Sequence, residues 1–83
     1  MTHELKIYPE FFSDVASGGK TFEIRKLDRN YQVNDILILR EYDPELPGCY
    51  TGNVAKAFIT YILEDSRYVR PGFAVLGIKL LVE

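Results

Sequence analysis

Between positions 20 and 29 of this 83-residue chain stand Lys20, Thr21, Glu23, Arg25, Lys26, Asp28 and Arg29, charged and hydroxyl groups set close together. Residues of these types do recognition chemistry. Lysine and arginine hold phosphate, the arginine bidentately, and a carboxylate between them accepts from an amino group on a base edge. On a strand, Thr21, Glu23 and Arg25 project to one side about 7 Å apart, within reach of one small ligand. The segment carries +2 and the whole chain −2, so all other residues together carry −4 and the positive charge is confined. The plainer reading of the same pattern is a solvent-facing Glu23–Arg25 ion pair on an edge strand, of a kind that contributes little.

Other residues are weighed in the same way. Tyr31, Tyr42, Tyr50 and Tyr68 fall in or beside predicted loops, where each is either a stacking platform for an unpaired base or an amphipathic cap on the end of a barrel. Thr51, followed by Gly52, offers a hydroxyl that can touch a phosphate or hold a turn. His3 has the chemistry of a proton donor but is read as structural. Cys49 lies in a Pro47-Gly48-Cys49-Tyr50 loop without a neighbouring histidine, and no nucleophilic role is assigned to it. One cysteine excludes an intramolecular disulfide and an all-cysteine zinc site, and one histidine excludes a multi-histidine centre. No metal and no cofactor are expected.

The elements that must position these groups follow from periodicity. His3 to Tyr8 alternates Leu5 and Ile7 with Glu4 and Lys6, the pattern of a half-buried strand. Pro9 opens a short helix in which Phe11, Phe12, Val15 and Ala16 gather on one face, and Ser17-Gly18-Gly19 ends it. Lys20 to Lys26 returns to a period of two, with Phe22 and Ile24 opposite Thr21, Glu23 and Arg25. A polar turn from Leu27 leads to an Asn34-Asp35 corner, then an apolar strand from Ile36 to Leu39 that ends in Arg40-Glu41. Asp43 to Gly52 holds too many prolines and glycines for regular structure and is read as an exposed loop. A long strand over Val54 to Leu63 puts Ala55, Ala57, Ile59 and Tyr61 in one parity. After a polar connection, Phe73 to Val82 is the last strand, with Gly77 as a bulge or bend.

Five strands and one helix in this length predict a mainly β (α+β) fold, a single domain over residues 1–83. The expected form is a small antiparallel β-barrel, closed or nearly so, with the helix plugging one end; the alternative is an open sheet with the helix on one face. A 47% hydrophobic and 13% aromatic composition agrees with one folded core. A net charge of −2 has the wrong sign for gripping long nucleic acid by bulk electrostatics, so any phosphate binding must be local. No apolar run approaches the roughly 20 residues of a membrane span, and the first residues lack a signal-peptide pattern, so no membrane partner and a cytoplasmic location are expected.

The run Gly18-x-Lys20-x-x-Glu23-x-Arg25, after a helix and a glycine turn, resembles the signature of ASCH (activating signal cointegrator homology) domains of the PUA-like superfamily. The likeness extends over His3 to Ile7, Lys20 to Lys26, Asp28-Arg29, Asp35 to Leu37 and Tyr50 to Gly52, and is similar to the compact bacterial and phage proteins of that superfamily without an assigned function. Where that group shows Asn-Asp-Arg and Val-Gly-Asp, this chain has Leu27-Asp28-Arg29 and Val33-Asn34-Asp35. The resemblance implies a small PUA-like barrel with one short helix after its first strand, and a polar cleft beside the motif strand that binds RNA or a nucleotide-like small molecule. The ligand-binding residues expected are Lys20, Thr21, Glu23, Arg25, Lys26, Arg29, Tyr50 and Thr51.

The resemblance implies one alternative function, and the loop from Asp43 to Gly52 suggests another. Some members of the superfamily hydrolyse the amide of N-acetylated cytidine with a Lys, a Thr and a Glu. Lys20 aligns with that lysine, while Glu23 stands in the place of the threonine, and Thr21 is nearby. As a small amidohydrolase the chain would use Lys20 as base or nucleophile and Glu23 as proton shuttle. As a protein-interaction adaptor it would instead present the loop from Asp43 to Gly52 to a protein partner.

Overall fold

The computed structural model describes residues 1–81. Its elements are β1 (Thr2–Ile7), α1 (Pro9–Ala16), β2 (Phe22–Lys26), β3 (Ile36–Tyr42), β4 (Tyr50–Leu63) and β5 (Phe73–Leu80). The strands form one curled half-barrel sheet in the order β1-β3-β4-β5-β2, with a single short helix after the first strand. Three pairings are antiparallel. The fourth differs from the all-antiparallel expectation: β1 and β3 run parallel from Thr2 opposite Ile36 to Ile7 opposite Glu41, because α1 and β2 carry the chain back before β3 begins.

Alternation on each strand fills the concave side with Leu5, Ile7, Leu37, Leu39, Ala55, Ala57, Ile59, Ala74, Leu76 and Ile78. Pro9 at the start of α1 and Gly18 beyond its end, at φ +85°, bound the helix as the sequence predicts. Its buried face is narrower than the pattern implied: Val15 is buried and Phe12 packs on the core, whereas Phe11 and Ala16 are exposed. The helix lies against β3 and β4.

Two further boundaries shift. β4 begins at Tyr50, so Tyr50, Thr51 and Gly52 belong to a strand instead of the loop. The bulge expected at Gly77 belongs to the partner strand: Ile59 faces Ile78 and Tyr61 faces Gly77, which leaves Thr60 as the extra residue. That extra residue reverses the parity of β4, turning Tyr61 out, 65% exposed, and Ile62 against the core. β5 ends at Leu80, and Val82, counted in the predicted last strand, lies outside the described residues.

The curl brings the two edge strands, β1 and β2, face to face across a seam. The Ile36 N–H donates to Met1 O, which points the odd-numbered backbone groups of β1 at β3 and leaves those of Glu4 and Lys6 on the open edge. On β2 the Ile78 N–H donates to Thr21 O, so Phe22 likewise faces the opening. Basic side chains cap these free carbonyls. Arg29 Nη1 donates to Glu4 O (3.1 Å), Arg25 Nη2 to Lys6 O (2.6 Å) and Lys20 Nζ to Phe22 O (2.7 Å). Side chains, in place of a sixth strand, protect both edges.

Candidate functional site

The motif strand β2 has the predicted alternation with its faces reversed from a solvent-facing ion pair. Phe22 and Ile24 point outward, 43% and 58% exposed, and Glu23 is buried at 4%. The cause is the seam. Glu23 Oε1 accepts from Lys20 Nζ at 2.7 Å and Oε2 from Arg25 Nε at 3.2 Å, so both oxygens of the buried carboxylate are paired. Each cation also holds a main-chain carbonyl, and the three residues form a staple at the rim of the half-barrel.

A second group of cations gathers on the convex side of β1. Register places Lys6 opposite Arg40 and, beyond a shift in the β3–β4 ladder, Tyr42 opposite Tyr50. The Arg40 guanidinium lies 3.9 Å from the Tyr50 ring centre, and the Lys6 ammonium 4.7 Å from that of Tyr42. Tyr42 meets Tyr50 edge-on at 5.5 Å and Tyr8 at 6.3 Å. Its phenol is pushed above its ordinary pKa, first by a hydrogen bond with Cys49, then by the charge of Cys49, burial, and Tyr8 and Tyr50. Glu4, Leu5, Lys6, Arg29, Arg40 and Tyr50 line a cleft of about 430 Å³ here. Three cations and one exposed aromatic ring around such a cleft can hold a phosphate and stack a planar base.

Of the residues expected to bind ligand, Lys20, Glu23 and Arg25 come together in the staple, and Arg29 and Tyr50 in the cleft. Thr21 is exposed and lines a separate small cleft with Val15, Gly18 and Lys79. Lys26 is exposed at the end of β2, opposite Phe73. Thr51 Oγ1 donates to Glu41 at 2.7 Å and Asn53 Nδ2 donates to the same oxygen at 3.0 Å, so the threonine hydroxyl is tied into its own hairpin. Lys6, Arg40, Tyr8 and Phe11 were not singled out from sequence. The isolated signal for Arg40 is its place at the end of an apolar strand, and nothing local reveals that Lys6 lies across from it.

The remaining tyrosines divide. Tyr31 is buried, its phenol raised by burial against the opposing effect of Arg29 and Arg25, and it serves as core. Tyr68 stays 76% exposed, with Arg67 over its ring at 5.5 Å. His3 is also buried. Its Nε2 lies 2.8 Å from Asp35 Oδ2, and its ring packs 4.8 Å from that of Tyr31. The contact with His3, opposed by burial and aided by the terminal ammonium of Met1 and the Gln32 N–H, draws the Asp35 carboxyl down to about 2. Among the described residues no group of three or more His, Cys, Asp or Glu is placed to hold a metal ion, and no helix is long and apolar enough to cross a membrane.

A family model described as "Domain of unknown function (DUF3850)" matches residues 2–78. Among curated proteins, the "Uncharacterized 12.9 kDa protein in GpA 3'region" of Escherichia phage P2 is 39% identical over 67 residues. The matched stretch is 81% of this chain and 59% of that protein, so the chain spans less than two thirds of this relative's length.

Proposed function

We propose that this chain, which belongs to the DUF3850 family, is a binding module for RNA or a nucleotide. The observation that carries the reading is the Arg40 guanidinium stacked 3.9 Å over Tyr50 in a cleft that also holds Lys6 and Arg29. Guanidinium and phenol planes stack a base, and the two further cations take its phosphate. The ligand cleft is thus on β1, and the Lys20–Glu23–Arg25 staple fixes the seam beside it. The curled half-barrel with one helix after its first strand agrees with the ASCH-like, PUA-like assignment that the motif resembles, and a nucleotide-binding role implies the cytoplasm.

Lys20 supports binding over hydrolysis. Its ammonium donates to Glu23 and to Phe22 O, at 2.7 Å each, an arrangement that orients it toward protein acceptors instead of a substrate carbonyl. The adaptor alternative rests on the segment from Asp43 to Gly52, which shares Tyr50 with the cleft and carries no lysine or arginine of its own.

A proton–nitrogen NMR titration with uridine and cytidine monophosphates and a short unpaired RNA tests the proposal. Shifts centred on Lys6, Arg29, Arg40 and Tyr50 are expected, with Arg40→Ala weakening binding about tenfold. Absence of shifts with every nucleotide rejects the reading. Acetate released from N-acetylated cytidine, and abolished by Lys20→Ala, replaces it with the hydrolase.

A further inference from the structure

Cations lie on aromatic rings on both sides of the seam. On the β1 side are Arg40 over Tyr50 and Lys6 over Tyr42. On the β2 side, the Lys20 ammonium lies 4.9 Å from the ring centre of Phe22 and 5.8 Å from that of Phe11, beside a cleft of about 260 Å³ lined by Phe11, Lys20, Phe22, Glu23 and Ile24. Phe22 and Phe11 are 43% and 45% exposed. Their rings are not spent on the core.

Arg25 and Arg29 cross the seam from the β2 side, and Arg29 also lines the cleft of Arg40 and Tyr50. They are anchored on the carbonyls of Lys6 and Glu4, two residues apart on β1 and therefore about 7 Å from one another along the strand. Arg25 uses Nε and Nη2 on Glu23 and Lys6, and Arg29 uses Nη1 on Glu4. A guanidinium has five N–H donors, so each retains donors for a further acceptor. Two stacking stations joined by spaced, anchored guanidiniums match a ligand with the same repeat: bases alternating with phosphates.

Resting on the proposed nucleotide-binding function, we infer that the occupant is an unpaired polynucleotide strand lying across the seam, not a mononucleotide. One base stacks at Arg40 and Tyr50, another at Phe22 and Phe11, and intervening phosphates meet Arg29 and Arg25. Paired bases are not free to stack in this way, so a duplex is a poor ligand.

The test is an anisotropy assay with fluorescein-labelled hexauridylate, competed by unlabelled hexauridylate, uridine monophosphate and a blunt RNA duplex. Hexauridylate is expected to bind at least about tenfold more tightly than the monophosphate, because the second station engages the tethered base at no added cost of association. Phe22→Ala, an exposed position whose loss leaves the melting temperature in place, is expected to lower the hexamer-to-monophosphate affinity ratio about tenfold. Equal affinity for hexamer and monophosphate, an unchanged ratio in Phe22→Ala, or equal binding of the duplex overturns the strand and leaves the nucleotide reading standing. Failure of both hexamer and monophosphate to bind overturns the two together.

Discussion

Glu23 shows how far a residue's role depends on its surroundings. In sequence it is one member of an alternating charged face; in the fold it is a buried carboxylate whose two oxygens are taken by Lys20 and Arg25. Neutralising it leaves two partly covered cations facing each other across a site built for an anion. Both cations keep some solvent, at 16% and 22% side-chain exposure, which moderates the penalty. Glu23→Gln is therefore expected to destabilise the fold by about 2 kcal/mol, roughly a 10 °C fall in melting temperature for a domain of this size. Replacing the triad by apolar residues, Lys20→Met, Glu23→Leu and Arg25→Met together, should recover much of that loss, since no charge is then left unpaired. A Glu23→Gln melting temperature equal to that of the unsubstituted protein would contradict the staple. The role of Arg40 was hidden for a related reason. An arginine near the end of an apolar strand gains an aromatic partner only once β4 lays Tyr50 beneath it.

At the level of elements, the corner that starts β3 is tied to the start of β1 by one carboxylate. Asp35 accepts the Gln32 N–H at 3.0 Å, meets His3 at 2.8 Å and lies 3.1 Å from the terminal ammonium of Met1. Asn34 supplies the left-handed turn before it, at φ 77°, a conformation that asparagine tolerates. The Asp35 pKa is depressed in the fold, so the carboxylate contributes stability above its unfolded value of 3.8 and loses that contribution as pH falls through about 2. Urea midpoints measured from pH 5 to pH 2 should fall steeply across the lower half of that window, and Asp35→Asn should flatten the fall. A variant with the same acid slope as the parent protein would show that other carboxylates control it. The periodicity of β1, β2 and β3 is readable in the sequence because each has clean alternation. The outward turn of Tyr61 is not, because a bulge is defined by what the partner strand does opposite it.

For the whole molecule, the buried residues form a cluster that includes members of every element except β2, which is held instead by its ladder to β5 and by the staple. Unfolding should then be a single calorimetric transition with an enthalpy of about 60 kcal/mol near 60 °C, on the usual per-residue scale. Two resolved transitions would mean that β2 and its seam melt apart from the rest. A mainly β domain with one short helix after its first strand followed from the sequence alone. Alternation, the helix-opening proline and the glycine that ends the helix are consequences of local sterics and need no knowledge of the fold. A period of two, however, is the same whichever face turns inward. Only the curl of the sheet decided that Glu23 and Arg25 face the seam and Phe22 and Ile24 the solvent, because that curl brings the free carbonyls of β1 within reach of Arg25 and Arg29. It likewise set Lys6 beside Arg40, pairing residues 34 positions apart that no local pattern connects.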